Sequence, residues 1–459
     1  VRHLHRGDAV SAPAAPASRL ELLKITWALA WPAIISFSLE SVAGLCDLLM
    51  VGHLGPSAVA AVGVGVQVLS AVDTTMFAFG TGALAVVARS IGASDRGAAE
   101  EALRQSILAA VAVAAIVILP VIAFPHALVG LFSVEPAVAE AAAGFLRIVM
   151  LAVPGTAVVF VIASSLRGAG DTRTPLLIGA VVSLLNVAVG YVLIFGRLGL
   201  PVLGVRGAAM ATAAAFTVGA CLGLFLLAQG HLVLTVRWRG FVFRRDIVRR
   251  VVLVGYPAAL ESLLIQVGFF VYIVFVAHFG TGPVAAYFIG ARVLALSFLP
   301  GLGFATAAGA LVGQNLGADR PADARESGWA AMRLAIGMMT VAGAAIFVAA
   351  GPIARLFVSD PAVASEAESF IRILAIAQPM MAVDFVMGGA LRGAGDTRFP
   401  LATVLVAFYG CRLGLAWIVT HVLGLPLIWL WLCVLSDFFA RAMLKSWRFR
   451  SGAWARVRV

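Results

Sequence analysis

Six carboxylates interrupt apolar stretches of this 459-residue sequence: Glu40, Asp47, Asp73, Glu261, Asp384 and Asp437. A carboxylate placed mid-helix in hydrocarbon costs roughly 2.5–3.5 kcal/mol, so each one marks an ion or substrate path or else is held by a counter-charge. Glu40 and Asp47 lie seven residues apart, which puts both on one helix face about 10 Å apart, and Ser36 and Gly44 extend that stripe. Asp73 shares a helix surface with Gln67, Ser70, Thr74 and Thr81, which reads as a cavity wall. Asp437 and Arg441, spaced i,i+4, read as a structural ion pair. Glu261 and Asp384 form a second group, for which Arg292 or Arg412 are the expected partners. Within the apolar runs the first half of the chain sets three acids against Arg147. The second half sets three against Arg292, Arg372, Arg412 and Arg441. Desolvation favours the neutral form of an uncompensated carboxylate, which suits it to exchanging a proton or a cation near neutrality. The first half is therefore the expected seat of ion coupling.

The elements that must carry these residues follow from composition. Apolar residues make up 62%, charged residues 12%, and mean hydropathy is +1.03, which leaves too little polar surface to coat a water-soluble globule. The fold class is an all-α integral membrane protein. Runs long enough to cross about 30 Å of hydrocarbon fall at 25–51, 58–88, 103–124, 137–165, 174–195, 204–229, 247–277, 284–313, 328–350, 362–390, 400–420 and 426–445, giving twelve transmembrane helices. Assigning Lys and Arg to alternate sides places 25 of the 33 on one side, and leaves only Arg197, Arg206 and Arg355 on the other. The rich side is expected to be the cytoplasm, with both termini and the loop 230–246 there. The net charge of +11 is then topological, and no nucleic-acid partner is needed. Residues 1–23 lack the apolar core of a signal peptide and read as a cytoplasmic tail, as do residues 446–459. Cys46, Cys221, Cys411 and Cys433 are scattered singly, so no disulfide framework, metal or cofactor is expected. No GxxxxGK[ST], HExxH or EF-hand pattern occurs, which argues against ATP-driven transport and metalloprotease chemistry, and a membrane-embedded enzyme is not expected because no nucleophile and base cluster in the sequence.

Leu166 to Leu176 (LRGAGDTRTPL) returns as Leu391 to Leu401 (LRGAGDTRFPL), matching at 10 of 11 positions with an offset of 225. The same offset relates Trp31-Pro32-Ala33 to Tyr256-Pro257-Ala258, His53 to His278, Gly92 to Gly317, Arg147 to Arg372 and Pro154 to Pro379. Each repeat holds six spans, an even number, so the repeats run parallel and predict two six-helix lobes, 24–229 and 247–445, around a central cavity, joined by loop 230–246. That architecture belongs to alternating-access transporters. The repeated loops are expected to punctuate helices, with Asp171 or Thr172, and Asp396 or Thr397, as caps. A secondary reading makes Arg167, Asp171, Arg392 and Asp396 a cytoplasmic gate. Pro154 and Pro379 are expected kinks.

The segments Asp47 to Gly55 (DLLMVGHLG), Leu166 to Pro175 and Gly199 to Ala209 (GLPVLGVRGAA) resemble the multidrug and toxic compound extrusion family, especially its DinF-like branch, and the likeness runs from about residue 24 to 445. The resemblance implies secondary export of small organic cations, amphipathic drugs and other toxic compounds from the cell, in exchange for inward protons or sodium ions. It further implies a monomer in the plasma membrane whose partners are the lipid bilayer and the substrate. Asp47 matches the family's helix 1 aspartate, implicated in cation coupling. Asn186 matches the first position of an N-x-x-x-D pattern that supports that aspartate, but the acidic position is Gly190 here. Glu40 or Asp73 is the expected replacement. A competing reading, a flippase for lipid-linked precursors, calls for a strongly cationic cavity, against which the base-poor first repeat argues.

Overall fold

The computed structural model describes residues 18–457, which contain no strand and twelve helices long and apolar enough to cross a membrane. In chain order these are α1 (Arg19–Gly52), α2 (Pro56–Gly92), α3 (Arg96–Ala123), α4 (Pro136–Gly168), α5 (Arg173–Phe195), α6 (Gly204–Ala228), α7 (Arg245–Ala277), α8 (Thr281–Gly317), α9 (Pro321–Phe357), α10 (Pro361–Gly393), α11 (Arg398–Val422) and α12 (Leu427–Ser451). The twelve expected spans are all present, and all but α6 are extended at one or both ends. Most of the N-terminal tail lies outside the described residues.

The repeat is visible in the backbone. The limits of α2 and α8, and those of α4 and α10, keep the register of the sequence repeat at both ends. The turns repeat as well. Gly170 and Gly395 take φ of 88° and 86° in the two GAGDTR loops, a left-handed conformation that a Cβ would strain. Ser94 and Asp319 adopt φ of 59° and 57° at the other matching turn. Packing follows the same register. Phe145 of α4 lies over Gly65 of α2, and Phe370 of α10 over Gly290 of α8, where in each case any Cβ would collide with the ring. Without a hydrophobic drive between helices in lipid, such close approach at small residues is what holds spans together.

The copies differ where local chemistry differs. Pro300 sits at the start of a new helical segment, and α8 breaks at Phe298. A 3₁₀ turn at Met150–Ala152 precedes Pro154 in α4, whereas α10 runs unbroken through Pro379, so only the first of the two expected kinks disturbs its helix. In α11 the segments Leu405–Leu413 and Ile418–Val422 are π-helical.

The described chain forms two compact units, residues 35–256 and residues 18–34 with 257–457. They correspond to the two repeats except at their first helices. The start of α1 packs in the second unit, with Ala30 O and Ile34 against Gly303. In the same way the start of α7 packs in the first, with Gly255 against Ala78 O and Val251 against Gly82. The handover falls beside Pro32 and Pro257, which cannot donate a helical hydrogen bond. The expected inter-lobe linker also belongs to the first unit. Glu100 accepts from Thr235 N (3.1 Å) and Oγ1 (2.7 Å), and Arg96 donates to Leu232 O (3.1 Å), so this loop is docked on α3.

Gly389 faces the Ala305 backbone so closely that a methyl cannot fit, whereas Gly63 has open space around its Cα. Gly389→Ala is expected to cost about 1–3 kcal/mol and lower the melting temperature in detergent, with Gly63→Ala indistinguishable from the parent.

Candidate functional site

In the first unit three helices converge on Asp47. Asn186 of α5 donates from Nδ2 to Asp47 Oδ2 (2.5 Å), and Thr212 of α6 donates from Oγ1 to Asn186 Oδ1 (3.2 Å). The chain of donors fixes the amide so that its N–H aims at the carboxylate. Gly190, one turn beyond Asn186, faces the other side of the same group: a Cβ there would lie 3.9 Å from Asp47 Oδ1, beside Met50 and Ala211. A side chain at that position would reach Asp47, and glycine leaves its Oδ1 open.

Glu40 lies two turns earlier on α1, near Gly179 of α5, and retains an exposed face. Arg167, buried at the end of α4, donates to Ser36 Oγ (3.4 Å), lies 4.8 Å over the Phe37 ring, and acts on Glu40 through its charge without a direct ion pair. Asp73 on α2 has a buried Oδ1 with no hydrogen-bond partner. Neither Glu40 nor Asp73 contacts Asp47 through any hydrogen bond among the described residues. Glu40 and Asp47 share α1, Asp73 stands apart, and none of the three forms a salt bridge within the described residues.

The second unit is the opposite case. Glu261 of α7 pairs with Arg392 Nη1 (2.9 Å) and Lys445 Nζ (3.5 Å). Asp384 of α10 pairs with Lys445 (2.7 Å) and Arg441 (3.1 Å). Asp437 takes two hydrogen bonds from Arg441 (2.7 and 2.8 Å), as the i,i+4 spacing predicted, and has Arg412 at 3.7 Å. Arg412 itself lies among the rings of Tyr272, Phe408 and Phe269, 4.0, 4.8 and 5.2 Å from their centres. The partners expected for Glu261 and Asp384 are thus corrected: Arg392, Lys445 and Arg441 take the roles assigned to Arg292 and Arg412. The reason is helix length. α10 continues past the end read from hydropathy, so Arg392 lies on a helix instead of in a loop, and α12 runs on beyond Lys445, which turns inward and is buried instead of ending the span at its surface.

Asp171 caps α5, accepting from the backbone of Arg173 (3.1 Å) and Thr174 (2.9 Å) and from Thr174 Oγ1 (2.6 Å), as expected of helix punctuation. Asp396 does not repeat this: its carboxylate accepts from Arg448 Nε (2.8 Å), and α11 starts without a side-chain cap. Arg167 and Arg392 occupy matching places in the two repeats, one on Ser36 and the other on Glu261, which are themselves matching positions. Sequence reasoning missed Lys445 and Thr212. The first was legible as i+4 from Arg441 on the Asp437 face. The second carried no charge to mark it.

Twelve membrane-spanning helices built as two copies of a six-helix unit, with carboxylates inside the spans, define a multi-pass membrane protein of the transporter type. The MatE family model matches residues 32–192 and 257–418, and the chain belongs to that family. Among relatives, it is 29% identical over 455 residues to a probable multidrug resistance protein NorM of Thermotoga maritima, covering 97% of this chain and 95% of that one. It is 28% identical over 416 residues to the multidrug resistance protein PmpM of Pseudomonas aeruginosa, covering 88% and 86%. A MOP superfamily transporter from Pyrococcus furiosus shares the fold with a TM-score of 0.87 at 22% identity, covering 95% of this chain and 98% of that one. A mutant form of the Vibrio cholerae MATE transporter VcmN gives 0.88 at 21% identity, covering 95% and 99%.

Removing one acid from the second unit strands buried cations. Asp384→Asn, which leaves Lys445 and Arg441 short of charge, is expected to destabilise the fold by about 3–5 kcal/mol, read as a loss of folded, inserted protein and a lower melting temperature.

Proposed function

We propose that the chain is a secondary active antiporter that exports small amphipathic organic cations and related toxic compounds in exchange for inward protons or sodium ions. It acts as a monomer in the plasma membrane, with both termini in the cytoplasm. The observation that carries this reading is Asp47, a carboxylate within a span whose hydrogen-bond donor, Asn186, is neutral. No base among the described residues forms a salt bridge with it, so an incoming ion supplies the balancing charge. A proton would add at Oδ1, on the side that Gly190 leaves open, while the Asn186 amide keeps its bond to Oδ2. Binding of the ion neutralises the site, and a cationic substrate competes for the same negative charge. That competition is the differential interaction that exchange by alternating access requires. The relatives named as multidrug resistance proteins support the substrate class.

In the second unit Glu261, Asp384 and Asp437 each have fixed cations, so protonating any of them leaves a buried Arg or Lys uncompensated. Coupling therefore rests with Asp47, aided by Glu40, Asp73 and Asn186. Relatives named as multidrug resistance proteins favour this reading over a lipid-linked phosphate load.

Proteoliposomes loaded with a fluorescent organic cation, under separately imposed proton and sodium gradients, test this reading and identify the ion. Asp47→Asn is expected to abolish ion-driven export with insertion and folding retained, and export at the normal rate would make Asp47 structural. With rates normalised to inserted protein, Glu40→Gln and Asp73→Asn are expected to shift the pH dependence of export, and Glu261→Gln to change chiefly the amount of folded protein. A larger pH shift from Glu261→Gln than from the first pair would move the coupling site to the second unit.

A further inference from the structure

The loop between α6 and α7 has a docked half and a protruding half. Residues 232–236 are held on α3, with Leu234 fully buried and Val236 nearly so. Beyond them the chain turns outward through Gly240, at φ 72°, and two side chains of α3 pin the protrusion where it leaves and returns: Arg104 donates to Arg237 O (2.6 Å) and Gln105 to Val242 O (2.7 Å). The projecting stretch therefore has a fixed backbone. Its surface combines two chemistries that rarely share a water-exposed loop. Trp238, Val242 and Phe243 are 46, 69 and 57% exposed, and they are interleaved with exposed Arg237, Arg239, Arg244 and Arg245. Arg249 and Arg250 add two more exposed cations on the next turn, and Asp246 offsets only one of the six.

Position decides what such a surface meets. Leu108, one turn past the pinning residues on α3, is already exposed, as are Val252, Leu253 and Tyr256 on α7, so exposed apolar surface of this unit starts beside the protruding half of the loop. A boundary between charged loop and exposed apolar helix is what the rim of a bilayer calls for. Interfacial aromatic rings and adjacent arginines on that rim are matched by anionic phospholipid headgroups above acyl chains. A soluble polyanion would satisfy the arginines and leave Trp238, Val242 and Phe243 in water. The other chain segment following a repeat shows that exposure is not forced by the fold: after α12, Trp454 is buried, stacks on Phe449 at 4.7 Å and donates to its carbonyl.

We propose that residues 237–245 form an anchor for anionic phospholipid, with Arg237, Arg239, Arg244 and Arg245 contacting headgroup phosphates and Trp238, Val242 and Phe243 seated in the interface. The test uses the full chain in detergent micelles titrated with phosphatidylglycerol or with phosphatidylcholine, reading the melting temperature, followed by reconstitution with tail-brominated phosphatidylglycerol. Phosphatidylglycerol is expected to raise the melting temperature and phosphatidylcholine to leave it unchanged. The double variant Arg239→Gln/Arg245→Gln is expected to need roughly 30-fold more phosphatidylglycerol for half the effect. Arg239→Lys/Arg245→Lys, which keeps the charge, should retain most of the response, and Trp238→Phe should remove part of the bromolipid quenching. These last two measurements decide the matter if the glutamine variant folds poorly. An equal response to both lipids, or quenching unchanged in Trp238→Phe, overturns the anchor. So does a heparin-induced rise in phosphatidylcholine micelles that equals the phosphatidylglycerol effect, which would make the loop a site for soluble polyanions.

Discussion

A carboxylate inside a membrane-spanning helix needs a proton or a cation close by, and in the second unit one face of α12 supplies most of that need. Asp437, Arg441, Lys445 and Arg448 follow at spacings of four, four and three, so they line one stripe. Through it α12 is tied to Glu261 of α7, Asp384 of α10, Arg412 of α11 and Asp396 in the loop before α11. The stripe makes the unit a closed electrostatic system. Even the π-helical turns of α11 fit it, because Arg412 leaves that irregular helix to rest among three aromatic rings with Asp437 at its edge. Cation–π contact there replaces some of the hydration that the guanidinium lost.

The first unit keeps the scaffold and lacks the stripe. None of the six carboxylates survives at its partner position in the other repeat: Glu40 corresponds to Ile265, Asp47 to Tyr272, Asp73 to Phe298, Glu261 to Ser36, Asp384 to Val159 and Asp437 to Thr212. The last of these corresponds to a hydroxyl in the Asp47 network, where a charge in one copy became a neutral donor in the other. Arg167 and Arg392 did persist as a pair, both facing residue 36 or its counterpart 261. Duplication thus shared the packing and divided the chemistry, with rigid ion pairs on one side and unpaired acids on the other.

Most of this was legible from residue order. Apolar run length located every span, because hydrocarbon thickness sets helix length, and the repeat register carried over to turns and packing glycines that no hydropathy profile marks. The i,i+4 rule was enough for Asp437 and Arg441. It failed for Glu261 and Asp384, whose partners come from helices far away in the chain and, for Arg392, from a residue that hydropathy assigned to a loop. A charged side chain at a helix end lowers local hydropathy whether it faces solvent or a buried acid. Nor did sequence reveal that loop 230–246 docks on α3: its anchors are backbone carbonyls and Glu100, and neither has a periodic signature.

The handover of α1 and α7 at Pro32 and Pro257 has a bearing on how such a chain came to exist. Each unit is completed by the opening turns of the helix that begins the other repeat, packed against Gly303 in one case and presenting Gly255 to Ala78 in the other. An ancestral gene encoding one repeat would have made a product with a vacant seat for a helix start and a helix start with no seat. Two copies exchanging those segments would fill both, as the protomers of an arm-swapped homodimer do.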